Sequence, residues 1–542
     1  MRSDKRGYRF AGAQRLLAGL GLAASLAVPH VILGQTRVGS EFQVNTYTTE
    51  SQREPSVAFT GLGDFVVVWN SHFQDGQESG IFGQRFSSTG AALGGEFQVN
   101  EFTLNDQSRP SVASSASGDF VVVWQSAGQD SDDLGIVARR FSSAGAPVAT
   151  EFQVTTYTTT NRDYPSLAVA PDGDFVVVWQ SYVLGDTDTR AIVGRRFSSA
   201  GDPLGSELQI NTLTGNNPRV PSVAMAADGR FVVAWETYPD DFSEYGAVAQ
   251  RFSSEGAPLG GEMQVGTFTA FVDYVTVAVH GDGGFVVVWE SYGEDGYGGG
   301  IFARRFSSSG DALADELQIN TYTDGGEFAP ALAVTPDGGF IVVWGAYLDA
   351  GGDGTFARRY TSAGTPLADA FQVSSFTSII VGYPAIAIDA AGDFVVAWGS
   401  YGQDDELADE GGVFAQRFTL DTPGGVELDI DGDGETDALT DGLLVLRRLF
   451  GFTGTTLISG AVDTANCSRC AAEDIASYID GLGLALDIDG DTDLESLTDG
   501  LLVLRYLFGF TGTTLTSGVV DTGGCTRCDA AAIEPYLSGL DG

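Results

Sequence analysis

The chain has 542 residues, 43% of them hydrophobic, enough to bury more than one core. Its 72 acidic residues against 28 basic ones give a formal net charge of −44, which sets nucleic acid and anionic membrane surfaces aside as partners. Beyond residue 35 the only histidines are His72 and His280, and no G-x-S-x-G elbow, H-E-x-x-H motif or Gly-rich phosphate loop occurs, so the common hydrolase, zinc-protease and nucleotide chemistries have no motif here.

The chain opens as a secretory signal over residues 1–35. Arg2, Lys5, Arg6, Arg9 and Arg15 precede an apolar stretch from Leu16 to Leu33, and cleavage is expected near Gly34 or Gln35. Gly and Pro29 interrupt that stretch and no second apolar span follows, so the mature chain is not expected to insert into a membrane. The expected location is secreted, extracellular or at the cell surface.

Residues 36–418 repeat. The segment F-V-V-V-W or a close variant recurs seven times, with its tryptophans at 69, 124, 179, 235, 289, 344 and 398, spaced by 54 to 56 residues. A P-S-V-A-like segment precedes each, a turn such as Asp172-Gly173 lies between, and an R-F or R-Y segment and an F-Q-V-like segment follow. The continuous apolar run fits a central strand buried on both faces. Four strands per unit, seven times, predicts a mainly-β fold with a seven-bladed β-propeller; an open β-solenoid is the competing architecture. The F-Q-V segments are offset by one unit: Glu41-Phe42-Gln43-Val44 comes before the first P-S-V strand, and none follows Phe418. A closed ring therefore predicts that strand 41–45 pairs with the segment around 412–418.

The tryptophans read as scaffold, and the arginines before each closing Phe or Tyr as partners of nearby carboxylates or covers for apolar surface. The loops after the tryptophans carry acids at 130–133, 240–241, 294–295 and 404–406, oxygen-rich enough for Ca²⁺ or for solvated charge. Paired carboxylates for glycoside hydrolysis are not singled out, because acids are abundant throughout.

Residues 419–428, with Pro423-Gly424-Gly425, read as a linker. A second duplication follows over 429–542 with a period of 58 residues, so that Asp429 corresponds to Asp487 and Cys467 to Cys525. Each copy opens with alternating acids, a pattern that wraps a hard cation of Ca²⁺ size, and runs into a helical segment such as Leu443–Phe450, with a second short helix expected at Ala471–Leu482. Cys467, Cys470, Cys525 and Cys528 form two C-x-x-C pairs; in an exported chain they read as disulfides of open connectivity, with a Cys₄ zinc site as the alternative.

This duplicated loop-then-helix pattern resembles dockerin modules, with two EF-hand-like calcium loops. The resemblance covers residues 429–542 and implies Ca²⁺ as cofactor. It implies Asp429, Asp431, Asp433, Asp437 and Asp441 as ligands of the first site, with Glu435 through its carbonyl. For the second it implies Asp487, Asp489, Asp491, Glu495 and Asp499, with Asp493 through its carbonyl. Docking onto a cohesin-like or other cell-surface protein is the partner it implies. The final acid stands at the thirteenth loop position rather than the twelfth, and Thr492 stands where Gly is usual.

The sequence thus favours an exported calcium-binding protein whose propeller binds or displays a glycan or protein and whose small α-helical, duplicated module attaches it. The alternative is a carbohydrate-active enzyme, a polysaccharide hydrolase or lyase, anchored by that module. A third reading makes the propeller a spacer.

Overall fold

The computed structural model describes residues 35–540 apart from 62, 130–133, 157–159, 184–185, 213–216, 239–245, 267–270, 293–297, 322–324, 349–352, 377–381, 404–410, 421–427, 434–435, 463–466, 468, 483–485, 491–493, 521–524 and 526. The expected signal segment lies outside the described residues. Two compact units result, the strands from Gln35 to Leu420 and the helices from Ala438 to Leu540.

The first unit is a seven-bladed β-propeller of seven antiparallel four-stranded sheets. In blade 1 the strands run from the axis outward as Gln52–Phe59, Phe65–His72, Ser79–Phe86 and Phe97–Gln98. Blades 2 to 6 repeat that order. The second strand is apolar without alternation because its two faces serve two different interfaces. Val66 and Val68 pack with Phe120 and Trp124 of blade 2, while Val67 and Trp69 pack with Val395 and Ala397 of blade 7. All seven tryptophans are at most 1% exposed, which excludes them as ligand platforms. Each first hairpin turns tightly enough to need glycine: at Gly118 φ is +82°, and a Cβ would stand 1.9 Å from the Thr60 carbonyl oxygen of blade 1.

Adjacent blades are interlocked by repeated side chains. The acid that precedes most F-Q-V-like segments accepts from the main chain of the preceding blade: Glu96 from Thr46 N–H at 2.7 Å, Glu151 from Glu101 N–H at 2.6 Å and Glu207 from Thr156 N–H at 2.6 Å. The arginine before each closing aromatic reaches forward. Arg85 donates to the Ala144 carbonyl at 2.7 Å and Arg251 to that of Ser308 at 2.5 Å. Arg85, Arg140, Arg251, Arg305 and Arg417 thus serve main-chain carbonyls of the next blade's turn rather than carboxylates, whereas Arg359 meets Asp337 at 3.0 Å.

The offset strand closes the ring. Gln35–Gln43 is the outermost strand of blade 7, where Phe42 pairs with Ala415 and Gln43 with Phe414. Glu41 then accepts from Ser375 N–H at 2.6 Å, and Arg417 donates to the Ser88 carbonyl, so both interlocks cross the seam.

In the second unit a π-helical turn at Ala438–Gly442 leads into α1 (Leu443–Leu449), followed by α2 (Thr455–Ile458) and α3 (Ala472–Leu482). The second copy supplies α4 (Asp499–Leu507), α5 (Thr513–Thr516) and α6 (Ala530–Leu540). Both copies share one core, in which Leu444, Val445 and Ile475 meet Leu502, Val503 and Ile533. The copies approach at two glycines: a Cβ at Gly442 would stand 3.0 Å from Leu504, and one at Gly500 the same 3.0 Å from Leu446. The cysteines pair within each motif, Cys467 with Cys470 and Cys525 with Cys528, so these sulfurs do not form the alternative zinc site. Among the described residues, no helix is long and apolar enough to cross a membrane.

Deleting residues 35–43 leaves the Gly411–Leu420 edge unpaired. The expected outcome is a melting temperature lowered by at least ~5 °C and concentration-dependent aggregation. A calorimetric scan matching the intact chain would contradict the clasp.

Candidate functional site

The inner strand of six blades carries the same irregularity. Two residues before the strand's regular pairing begins, the register shifts, and a residue adopts positive φ: Glu54, Arg109, Tyr164, Val220, Tyr274 and Ala329, with φ between 42° and 56°. A non-glycine residue held there costs about 1–3 kcal/mol and persists only when its surroundings fix it. In blades 3 to 6 the fixing group is the residue after the tryptophan of the preceding blade. Gln125 accepts from Tyr164 N–H and Gln180 from Val220 N–H, both at 3.4 Å; Glu236 accepts from Tyr274 N–H at 2.6 Å and Glu290 from Ala329 N–H at 3.1 Å. In blade 2 the Arg109 N–H is taken by Glu54 at 3.1 Å.

The bulges turn side chains toward the axis. Tyr274 of blade 5 and Tyr383 of blade 7 are two blades apart, yet their hydroxyls lie 3.0 Å apart and their ring centroids 5.4 Å apart. Contact across the ring places both at its mouth, on the face where the strands containing the tryptophans end. The acidic loops at 130–133, 240–241, 294–295 and 404–406 follow those strands but lie outside the described residues.

Carboxyls gather at this mouth. Asp273 pairs across the strand with Glu290, and Arg219 with Glu236. Directly opposed side chains stand about 5 Å apart at Cβ, and like charges there repel. Glu236, Glu290 and Glu327 are each no more than 2% exposed. Burial, with the charge of Asp273 adding to it, pushes the Glu290 carboxyl up to about 7 and Glu236 well above the usual carboxylate range. Burial also raises Asp273, which accepts from the Tyr238 hydroxyl. Asp163 of blade 3 is pushed up to about 6 by burial, against the opposing pull of Arg109, Arg190 and Arg219. Burial raises the phenols of Tyr164, Tyr238, Tyr274 and Tyr292 above their ordinary value, so they are neutral donors at neutral pH.

Neutral glutamines perform the bulge-fixing role in blades 2 and 3. The acidic form of Glu236 and Glu290 is therefore surplus to the fold. Opposed to Asp273, Glu290 holds a proton near neutrality beside a second carboxyl, the condition for acid–base chemistry.

The acidic loops of the second unit also gather carboxylates. Carboxylate oxygens of Asp429, Asp431 and Asp433 lie within 4.8 Å of one another, as do those of Asp487, Asp489 and Asp499. Asp431 and Asp489 are fully buried, and three like charges so placed suit a cation. The expected ligand sets are only partly assembled. Asp441 turns inward, accepting from the N–H groups of Ile430 at 2.5 Å and Asp437 at 2.8 Å, so it brackets its own loop. Asp499, at the same thirteenth position of the second loop, likewise accepts from Ile488 N–H at 2.6 Å and Glu495 N–H at 2.8 Å, and it still keeps an oxygen within the second group. Asp437 and Glu495 are outside both oxygen groups, while Glu435, Asp491 and Asp493 lie outside the described residues. Arg469, next to Cys470, donates to the Ile430 carbonyl at 2.9 Å, and Arg527 repeats this on Ile488 at 2.8 Å.

The sequence matches no family model and no curated protein. Several solved structures share the propeller. A protein of unknown function from Dyadobacter fermentans has a TM-score of 0.45 at 11% identity, over 71% of this chain and 99% of its own. The polysaccharide lyase Uly1 has 0.41 at 11%, over 72% and 91%. The GH93 α-L-arabinofuranosidase of Fusarium graminearum has 0.41 at 12%, over 70% and 98%. At these values no residue is carried across, and the chemistry rests on this chain's own side chains.

Because the folded Glu290 carboxyl titrates near 7 rather than at its ordinary value, its stabilising contribution is full below about pH 4.5 and lost as pH rises through 7. At pH 8 the charged form costs on the order of 3 kcal/mol. Glu290→Gln keeps the acceptor for Ala329 and is expected to be more stable than the native chain at pH 8 and about equal at pH 4.5. Urea midpoints at the two pH values check this; an equal deficit at both would show that the carboxyl is needed by the fold.

Proposed function

We propose that the protein is an exported carbohydrate-active enzyme that cleaves a polysaccharide at the propeller mouth marked by Tyr274 and Tyr383. The observation that carries the reading is the opposed pair Asp273 and Glu290, with Glu290 titrating near 7 where a glutamine would satisfy the fold. Glycoside hydrolysis needs a protonated carboxyl to donate to the departing oxygen and an ionised one to activate water or attack the sugar. Glu290 and Asp273 supply the first function. Asp163, on blade 3 and titrating near 6, supplies the second. Tyr274 and Tyr383 offer aromatic faces and hydroxyls to sugar rings.

The binding-or-display role favoured by the sequence takes second place, because binding alone requires no carboxyl held protonated near neutrality. The two disulfides support an oxidising, extracellular setting.

The mechanism fixes the pH dependence. Activity rises as Asp163 ionises above about 6 and falls as Glu290 loses its proton above about 7, a narrow bell in kcat/KM. Glu290→Gln and Asp163→Asn are each expected to lose about 10²–10⁴-fold in rate. Reducing-end release from a polysaccharide panel across pH 5–9 tests this. Full activity in Glu290→Gln, or products carrying an unsaturated sugar, would sink the hydrolytic assignment.

For the second unit we propose Ca²⁺ as the resident ion, held by Asp429, Asp431 and Asp433 and by Asp487, Asp489 and Asp499. Its chemistry there is charge compensation that orders the loops. Attachment to a cohesin-like or cell-surface protein belongs to the same proposal, supported by exposed apolar chains duplicated between the copies, Leu439 with Leu497 and Phe450 with Phe508. Chelation with EDTA is expected to lower one calorimetric transition of the full chain by several degrees, with restoration by Ca²⁺ and not by Mg²⁺. Unchanged scans with no Ca²⁺ uptake would refute the sites.

A further inference from the structure

The propeller mouth carries most of its buried acids on one side and arginines on the other, with Glu54 and Asp163 among the arginines. Glu236, Asp273, Glu290 and Glu327 belong to blades 4 to 6, whereas Arg53, Arg109, Arg190 and Arg219 belong to blades 1 to 4. The remaining propeller arginines, Arg37, Arg162 and Arg230 aside, stand at the two adjacent positions before each closing aromatic.

Among the described residues, none of these four guanidiniums has a carboxylate within ion-pair distance, in a chain with 72 acids. Three lie over tyrosine rings: Arg109 over Tyr164 at 3.9 Å, Arg219 over Tyr238 at 4.4 Å and Arg190 over Tyr182 at 4.7 Å. Stacking uses the face of the guanidinium and leaves its N–H edge in the ring plane, pre-organised for a forked contact. Arg190 also donates to Asn217 at 2.9 Å and to the Tyr182 hydroxyl at 3.0 Å, so its side chain is fixed. Arg219 Nε is sealed from solvent with no hydrogen-bond acceptor among the described residues, and Asp163 Oδ1, in the midst of this group, is sealed with no donor. Cations held rigid by aromatic faces, with uncommitted donors, at the mouth that holds the carboxyl pair, are built to receive an anion.

We propose that Arg109 and Arg219, with Arg190 behind them, form a subsite for the anionic substituent of an acidic polysaccharide, a carboxylate or a sulfate ester on the sugar beside the scissile bond. The proposal rests on the enzymatic reading above for the position of that bond. Binding itself does not depend on it. The chain's overall negative charge repels such a polymer at long range, and at 0.15 M salt that repulsion is screened beyond about 8 Å while the forked contacts act within it.

Affinity electrophoresis and calorimetry on the full chain in 0.15 M NaCl test it, with alginate and polygalacturonate as carboxylated probes, dextran sulfate as the sulfated probe, and dextran and carboxyl-reduced alginate as neutral ones. Binding to a carboxylated or sulfated probe is expected, at least tenfold tighter than to the neutral polymers, and which class binds identifies the substituent. Arg219→Gln is expected to weaken it at least tenfold and Arg109→Gln/Arg219→Gln further. Arg219→Lys, which keeps the charge but not the fork, should fall between, and unchanged melting curves check folding. No preference for either anionic class, or equal binding by the double glutamine variant, overturns the proposal. Anion-dependent binding without turnover sinks the enzymatic reading and leaves this one; turnover of neutral polymers alone does the reverse.

Discussion

The acidic sector of the propeller mouth depends on one hydrogen bond, made in blades 3 to 6 from the bulged N–H of an inner strand to the side chain that follows the tryptophan of the preceding blade. The tryptophan is locked between blades, so the next residue is delivered to a fixed place beside its neighbour's inner strand. An acceptor there holds a backbone conformation that a non-glycine residue otherwise avoids. The bulge in turn swings the following side chain to the axis, where Tyr274 meets Tyr383 across the ring. Packing, strain and site are thus one construction, repeated around the axis and varied in chemistry from blade to blade.

That variation separates what the fold needs from what it does not. After the seven tryptophans stand Asn70, Gln125, Gln180, Glu236, Glu290, Gly345 and Gly399. A glutamine accepts the N–H without titrating. A glutamate at the same depth accepts it and also brings a charge that burial resists. Placing Asp273 directly opposite Glu290 adds repulsion that no architectural demand explains, since Ser108 occupies that position opposite Gln125. Stability given up at one sector of an otherwise uniform ring is the physical mark of a working site.

The ring and its closure were legible in the sequence because they rest on what repeats: the tryptophan period, the Asp-Gly turns and the F-Q-V segment displaced to the front of the chain. The same averaging hid the mouth. Asp163, Asp273 and Glu290 each occur where the repeat consensus fails, among many other acids, and nothing in a single strand reveals that the position before proline is a bulge facing the axis. Comparing the seven units column by column, rather than scanning for motifs, would have found them. From sequence the arginines of the R-F segments are expected to meet carboxylates or to cover apolar surface, and the structure uses most of them as donors to main-chain carbonyls. Sequence spacing shows that a cation recurs but not whether a carboxylate or a peptide group faces it.

In the C-terminal unit the duplicated loops were visible from their alternating acids, which show that carboxylates recur but not which of their oxygens converge. In both copies the closing acid bonds to N–H groups of its own loop, Asp441 to Ile430 and Asp437 and Asp499 to Ile488 and Glu495, and only Asp499 also joins its oxygen group. The arginine inside each C-x-x-C pair then grips the same turn from outside, with its guanidinium stacked on Tyr478 or Tyr536 at 4.0 Å. Bracketed by a carboxylate on one side and a disulfide-tethered guanidinium on the other, the loop backbone is fixed by the chain's own groups. A cation placed among Asp429, Asp431 and Asp433 would then act on a turn already shaped. Its contribution would be to relieve the repulsion among those three carboxylates rather than to create the fold around them.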